Sequence, residues 1–246
     1  MAKRRYISPD GEDITEQFLA IINSIIEEEG TDCETQIDPM RPGYGALDAV
    51  GNLYKTADVR SFERAIDFSN MVDKRIIYVG EIEGDTGASI EAMIRFWNNY
   101  DEQNGTRIED RQPIKLYIDS PGGCLTSAFT AIDAIRLSKT PIWTVNVGCA
   151  YSAGFYILLV GHKRFAYPMS SCLYHEGSAN MGGDANKFQN FADFYKIQRK
   201  MLKELVLKHT NIPEKEYDSH IKDDWWLTAQ ESLDLGVVDE ITREFI

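Results

Sequence analysis

Two hydrophobic rhythms divide this chain. From Asp13 to Glu29 the apolar residues recur at helical spacing, with Ile14, Phe18, Ile21, Ile22, Ile25 and Ile26 on one face. Asp13 is placed to cap that helix, with Glu16 third after it, and Gly30 stops it. Thr31 to Asp58 then carries Pro39, Pro42, Gly43 and Gly45 but little apolar periodicity, which predicts a loop. Residues 1–70 are therefore expected to form an appendage of amphipathic helix and loop. Such a helix needs a partner surface to be stable.

The rest of the chain alternates. Short apolar runs at Arg75–Val79, Ile114–Ile118, Ile142–Val147 and Ser171–Tyr174 predict strands. Longer runs at Ala88–Trp97, Leu125–Leu137 and Phe155–Val160 predict helices between them. That order predicts an α/β fold of βαβ units around a parallel-type sheet, over residues 71–246. The polar run Asp101–Gln112 reads as a surface loop. A long helix is expected over about Asn186–His209. Phe188, Phe191, Phe194, Tyr195, Ile197, Met201, Leu202, Leu205 and Val206 are too many for one core-facing stripe, so this helix should also meet another subunit.

Charge and composition narrow the classes of function. The 246 residues carry a formal charge of −13, which disfavours nucleic acid and anionic membrane surfaces as partners. No run approaches the ~18 apolar residues of a membrane span. Met1–Tyr6 is basic but leads into Asp10, Glu12 and Asp13 rather than an apolar segment, so a soluble, cytoplasmic protein is expected. Cys33, Cys124, Cys149 and Cys172 form no C-x-x-C pair and no ligand set with the histidines. Reduced, mostly buried thiols are expected, with no metal.

The candidate chemistry lies at strand ends. Ser152, in Gly148-Cys149-Ala150-Tyr151-Ser152-Ala153-Gly154, is where a strand hands over to a helix. A hydroxyl there lies near free backbone N–H groups and the positive end of a helix dipole, as a serine nucleophile requires. By itself the same pattern also fits a helix-capping serine. Ser120-Pro121-Gly122-Gly123 follows another strand, and paired glycines let backbone N–H groups approach a ligand closely, although a plain turn has the same letters. His175 follows a third strand. Asp224, next to Trp225 and Trp226, is expected to be part-buried and so to need a donor.

Taken together, these pieces resemble one family. From about Lys74 to Ile241 the chain is similar to the proteolytic subunit of the Clp protease, a ClpP-like serine peptidase family of the crotonase-like superfamily. The resemblance is carried by Ser120–Gly123, Gly148–Gly154, Lys163-Arg164-Phe165 with Pro168, Leu173-Tyr174-His175, and Asp224 to Ala229 running into Glu231 and Gly236-Val237-Val238-Asp239. It implies a spiral of βαβ units with a protruding strand-and-helix handle, about Tyr174 to His209. It also implies Ser152 as nucleophile, His175 as general base and Asp224 as the group orienting the imidazole, with the backbone N–H groups of Gly123 and Ala153 as oxyanion hole.

Further expectations follow from the resemblance. The chain would be a serine endopeptidase acting on unfolded polypeptide inside stacked heptameric rings, without cofactor. Any ATP would be used by a partner AAA+ unfoldase, since no Gly-x-x-x-x-Gly-Lys-Ser/Thr loop is present. Alternatives on the same fold are a viral head-maturation or scaffold-processing protease, crotonase-type acyl-CoA chemistry, or an inactive ring-structural subunit. The complete Ser152, His175 and Asp224 set tells against the last two. The chain departs from the family's usual residues at Tyr151 and Ala153, where Ala and Met are common, and at Glu176-Gly177, where Gln-Pro is common.

Overall fold

The alternation folds as β1 (Ile76–Val79), α1 (Thr86–Gln103), β2 (Ile114–Ser120), α2 (Leu125–Leu137), β3 (Ile142–Tyr151), α3 (Ala153–Leu159), β4 (Lys163–Ala166) and β5 (Ser171–Tyr174). After these come α4 (Ala185–His209), α5 (Glu214–Ser219), β6 (Trp225–Thr228), α6 (Ala229–Asp234) and β7 (Glu240–Ile241). This is a computed structural model that describes residues 74–177, 184–220 and 222–246, together with Asn70. The expected Asp13–Glu29 helix, the Thr31–Asp58 loop and Cys33 lie outside the described residues. Ile77–Asp101 and Thr106–Ile246 form one compact unit.

The sheet runs β1-β2-β3-β4-β7, with β5 pairing to β3 and β6 to β5. The β2–β3, β3–β4, β3–β5 and β4–β7 pairs are parallel, and β5–β6 is antiparallel. β3 is the pivot. Its first half, Trp143–Asn146, pairs with Lys163–Ala166, and its second half, Cys149–Tyr151, pairs with Ser171–Leu173. The strand therefore does not end at Val147, as its apolar run suggested. It passes through Gly148 because β5 offers new backbone partners where β4 stops. The step is also visible against β2, where Asp119 alone spans Val147, Gly148 and Cys149. Asp119 Oδ1 accepts the Cys149 N–H at 3.0 Å, and a Cβ on Gly148 would come within 2.4 Å of the same oxygen. Side chain and bulge therefore require a glycine there.

The core lies between this sheet and α1, α2 and α3. Every residue of α3 is buried, as its Ala-Gly-Phe-Tyr-Ile-Leu-Leu sequence dictates. α1 runs further than the Ala88–Trp97 pattern. Asp101, expected on a surface loop, is buried and accepts a 2.8 Å hydrogen bond from Thr140 Oγ1, which in turn accepts from Arg111 Nη1 at 3.3 Å. Three polar residues, each unremarkable alone, thus satisfy one another inside. Of the described cysteines only Cys172 is buried, Cys149 is half-buried, and Cys124 is exposed at the head of α2.

Some motif residues serve the architecture. Asp239 accepts hydrogen bonds from the Arg164 backbone N–H at 2.8 Å and its Nε at 3.1 Å, while Arg164 Nη1 donates to the carbonyls of His209 and Gly236. Thr228 and Glu231 form a reciprocal capping box that starts α6 directly after β6. α4 begins at Asp184, whose side chain accepts the Lys187 N–H. Only Leu202 and Val206 of α4 are buried, and Phe188, Phe194, Ile197 and Met201 are each more than half exposed. Tyr174, expected at the base of the handle, lies in the sheet at the end of β5.

Candidate active site

Three strand ends converge on Ser152. It follows the last residue of β3 and precedes the first of α3, with φ 53° and ψ −117°, a conformation that few non-glycine residues adopt. The strand-to-helix handover forces this turn. Its N–H donates to the Leu173 carbonyl of β5 at 2.9 Å, fixing the serine to the strand that carries His175 two residues later. His175 Nε2 lies 2.8 Å from Ser152 Oγ. That separation is direct hydrogen-bond reach between a hydroxyl and a base.

Asp224 sits one residue before β6, the antiparallel neighbour of β5. Its Oδ1 is 3.4 Å from His175 Nδ1. The carboxylate side chain is 58% exposed, against 32% for the imidazole. The expected burial of Asp224 is not found. Trp225 turns aside to stack on His220, and Trp226 lies edge-on to Tyr151 at 5.1 Å while remaining 55% exposed, so neither covers the acid.

The Ser120–Gly123 turn lies directly against the serine turn. Gly122 has φ +99°, and a Cβ added there would be 2.7 Å from Ser152 Cβ and 2.8 Å from the Tyr151 carbonyl. No other residue fits without displacing the serine. The turn is clamped from its other side. Ile82 donates to the Gly122 carbonyl at 2.8 Å and accepts from Cys124 N–H at 2.6 Å, a parallel bridge centred on Gly123. Because the bridge uses the groups flanking Gly123, the N–H of Gly123 itself is directed away from Ile82. Ala153 is the first residue of α3, so its N–H has no partner four residues back. Ser120, buried under the turn, accepts the Gly122 N–H on its Oγ at 3.1 Å.

Burial pushes the Cys149 and Cys172 thiols up to about 11, with Asp119 adding to the effect at Cys149. Both stay neutral at ordinary pH and are poor nucleophiles. Among the described residues no three His, Cys, Asp or Glu side chains are grouped as metal ligands, and no helix is long and apolar enough to cross a membrane.

Ser152, His175 and Asp224 thus come together in sequence order, with the Gly122-Gly123 turn beside them. Sequence reasoning missed the roles of Asp119, whose carboxylate holds the Cys149 N–H, and of Ile82 and Leu173, which act through backbone hydrogen bonds. The backbone contacts of Ile82 and Leu173 leave no residue signature. It also missed the use of Glu176, whose carboxylate pairs with Arg199 of α4. Tyr151, unusual before the serine, spends its hydroxyl on Ser171 Oγ at 2.8 Å and its ring on Trp226.

The family model described as Clp protease matches residues 61–245. The chain is 32% identical over 189 residues to the ATP-dependent Clp protease proteolytic subunit of Deinococcus radiodurans, covering 74% of this chain and 89% of that one. It is 35% identical over 136 residues to the ATP-dependent Clp protease proteolytic subunit 2 of Thermobifida fusca, covering 54% and 67% of the two chains. Similarity of this extent, over the stretch that builds the sheet and gathers the three strand ends, means that the chain belongs to the Clp protease family of serine peptidases.

Proposed function

We propose that the chain hydrolyses peptide bonds of unfolded polypeptides through an acyl-enzyme formed on Ser152. The single observation carrying this reading is the 2.8 Å approach of His175 Nε2 to Ser152 Oγ at a strained strand-to-helix turn. In the proposed reaction Oγ attacks the scissile carbonyl carbon as its proton passes to Nε2. The imidazolium then protonates the departing amine. Water repeats the sequence in reverse to release the acyl group. Asp224, at 3.4 Å from Nδ1, would hold the imidazole tautomer and offset the charge it gains. The N–H groups of Gly123 and Ala153 would receive the oxyanion. Their availability, through the Ile82 bridge and the first position of α3, supports that role.

The relatives' names carry the words ATP-dependent and proteolytic subunit. We propose by analogy that this chain works in stacked, self-compartmentalised rings, in the cytoplasm, with an AAA+ unfoldase consuming the ATP. Four large apolar side chains on α4, each more than half exposed, support a subunit contact there. Residues 1–70 are proposed as an accessory to the 71–246 peptidase domain, a gate, propeptide or adaptor. Deleting residues 1 to about 58 would alter assembly or the degradation of larger substrates while leaving Ser152 reactive toward small probes.

The test is labelling of the full chain with a fluorophosphonate, followed by peptide mapping, alongside hydrolysis of a fluorogenic peptide. Labelling confined to Ser152, with both signals absent in Ser152→Ala, is the expected result. Full activity in that variant would overturn the reading.

A further inference from the structure

We infer that Glu176 and Arg199, with Tyr195, form a latch that positions His175, and that this latch sets the rate of attack by Ser152. The inference rests on the reading of Ser152 and His175 proposed above.

Glu176 immediately follows His175, outside β5, where the sheet no longer holds the backbone. Two contacts from α4 replace the sheet at this point. Arg199 Nη2 makes an ion pair with Glu176 Oε1, and Tyr195 Oη donates to the Glu176 carbonyl at 3.1 Å. Tyr195 and Arg199 are four residues apart, so one face of α4 grips both the side chain and the backbone of a single residue. Gly177 follows at φ +79°, turning the chain away in a conformation that disfavours any other residue.

The pair differs from the other ion pairs along α4. Its side chains are 35% and 31% exposed, so both ends are largely covered, whereas Lys187–Asp184, Lys196–Asp193 and Lys200–Glu204 are each more than half exposed at both ends. Lys203, itself 25% exposed, pairs with Glu214 and Asp218 that are 67% and 49% exposed. Desolvation strengthens a charge-assisted hydrogen bond and makes its loss costly. The latch also stands close to buried Tyr156, whose hydroxyl feels both charges, and Tyr174, which feels that of Arg199. On the far side of His175, by contrast, the imidazole is met by an exposed carboxylate at 3.4 Å. The residue that follows His175 is thus held by two contacts from α4, while the imidazole Nδ1 meets one exposed carboxylate. Neither Glu176 nor Arg199 is placed to touch a reacting atom, so both are positioning residues.

The test uses the full chain and two readouts: the rate of fluorophosphonate labelling of Ser152, and kcat with KM for a short fluorogenic peptide. Glu176→Gln and Arg199→Gln should each slow labelling and lower kcat roughly tenfold, the scale of a sub-ångström loss of alignment, with KM within about twofold. Arg199→Lys should recover most of the rate. The double variant should be no slower than either single one, because the two residues act as one unit. Lys196→Gln, which breaks an exposed pair on the same helix, should change nothing. Should Arg199→Gln fail to fold, Glu176→Gln and Arg199→Lys read the same quantity. Labelling within twofold of the parent, additive losses in the double variant, or a change in KM alone would overturn the latch. A parent chain that does not label at Ser152 at all would instead overturn the function on which the latch depends.

Discussion

The two halves of the Ser152–His175–Asp224 line are built to different standards. The serine half is enclosed: Ser152 is fixed by the Leu173 carbonyl, faced by Gly122 with no room for a Cβ, and set 2.8 Å from the imidazole. The aspartate half is open, with a 3.4 Å contact to a carboxylate more than half in water. The sheet explains the contrast. Ser152 and His175 directly follow the ends of neighbouring parallel strands in the interior of the sheet, and Asp224 precedes a short antiparallel strand at its margin. Geometry that must be held within tenths of an ångström is assigned to the interior. Orientation and charge balance, which tolerate more, are left to the rim.

The largest expected effect removes the enclosed half. Ser152→Ala should lower peptide turnover by about 10⁶-fold, with thermal melting close to the parent because no buried contact beyond one hydroxyl is lost. Peptide hydrolysis and a melting curve together check it. Next comes the open half. Asp224→Asn should cost between ~10² and ~10⁴ in kcat, the upper bound being the loss seen when a fully buried triad aspartate is replaced. Exposure argues for the lower end, since water stands in for part of the lost charge. Asp223→Asn should be within about threefold. Equal effects at the two positions would erase the distinction between the halves.

Gly122→Ala tests the enclosure itself. A Cβ 2.7 Å from that of Ser152, at φ +99°, should destabilise the fold by roughly 2–5 kcal/mol and abolish labelling of Ser152. Denaturant titration would show it. Tyr151→Phe is smaller. It loses one part-buried hydrogen bond to Ser171, about 1 kcal/mol, and keeps the ring against Trp226.

The smallest effect lies away from both halves. Burial first, and then the charges of Arg164, Lys208 and Arg136, hold His209 below its usual value, and its Nε2 is buried without a hydrogen-bond partner. Below about pH 6.5 the unfolded chain takes up a proton there that the folded chain resists. Stability from this group is complete above that pH and is lost as the pH falls towards the lowered folded value. Melting temperatures from pH 7.5 to 5 should therefore fall less steeply in His209→Gln than in the parent.

The sequence carried much of this arrangement because strands buried on both faces leave continuous apolar runs, as Leu116–Ile118 and Cys172–Tyr174 do. The α2 run, Leu125–Leu137, was legible to the residue. What was not legible depended on partners. The continuation of β3 past Gly148 needs β5, the burial of Asp101 needs Thr140, and the exposure of Asp224 depends on where two tryptophans turn. Ser152, His175 and Asp224 could be named from their motifs. The Glu176–Arg199 pair could not, since nothing in the spacing of two charged residues distinguishes a latch from two solvated side chains.

The contact between Gly122 and Ser152 has a consequence for how such a chain can change over time. The two turns are far apart in sequence but share one van der Waals boundary, so neither can drift alone. A substitution that enlarges one must be matched by a retreat in the other, and few retreats leave Oγ within reach of His175. Side-chain groups that do not meet that boundary, such as the Tyr151 ring on Trp226 and the Glu176 carboxylate on Arg199, escape that coupling. Side chains at the margins of the site can therefore change singly, while the two central turns can change only together.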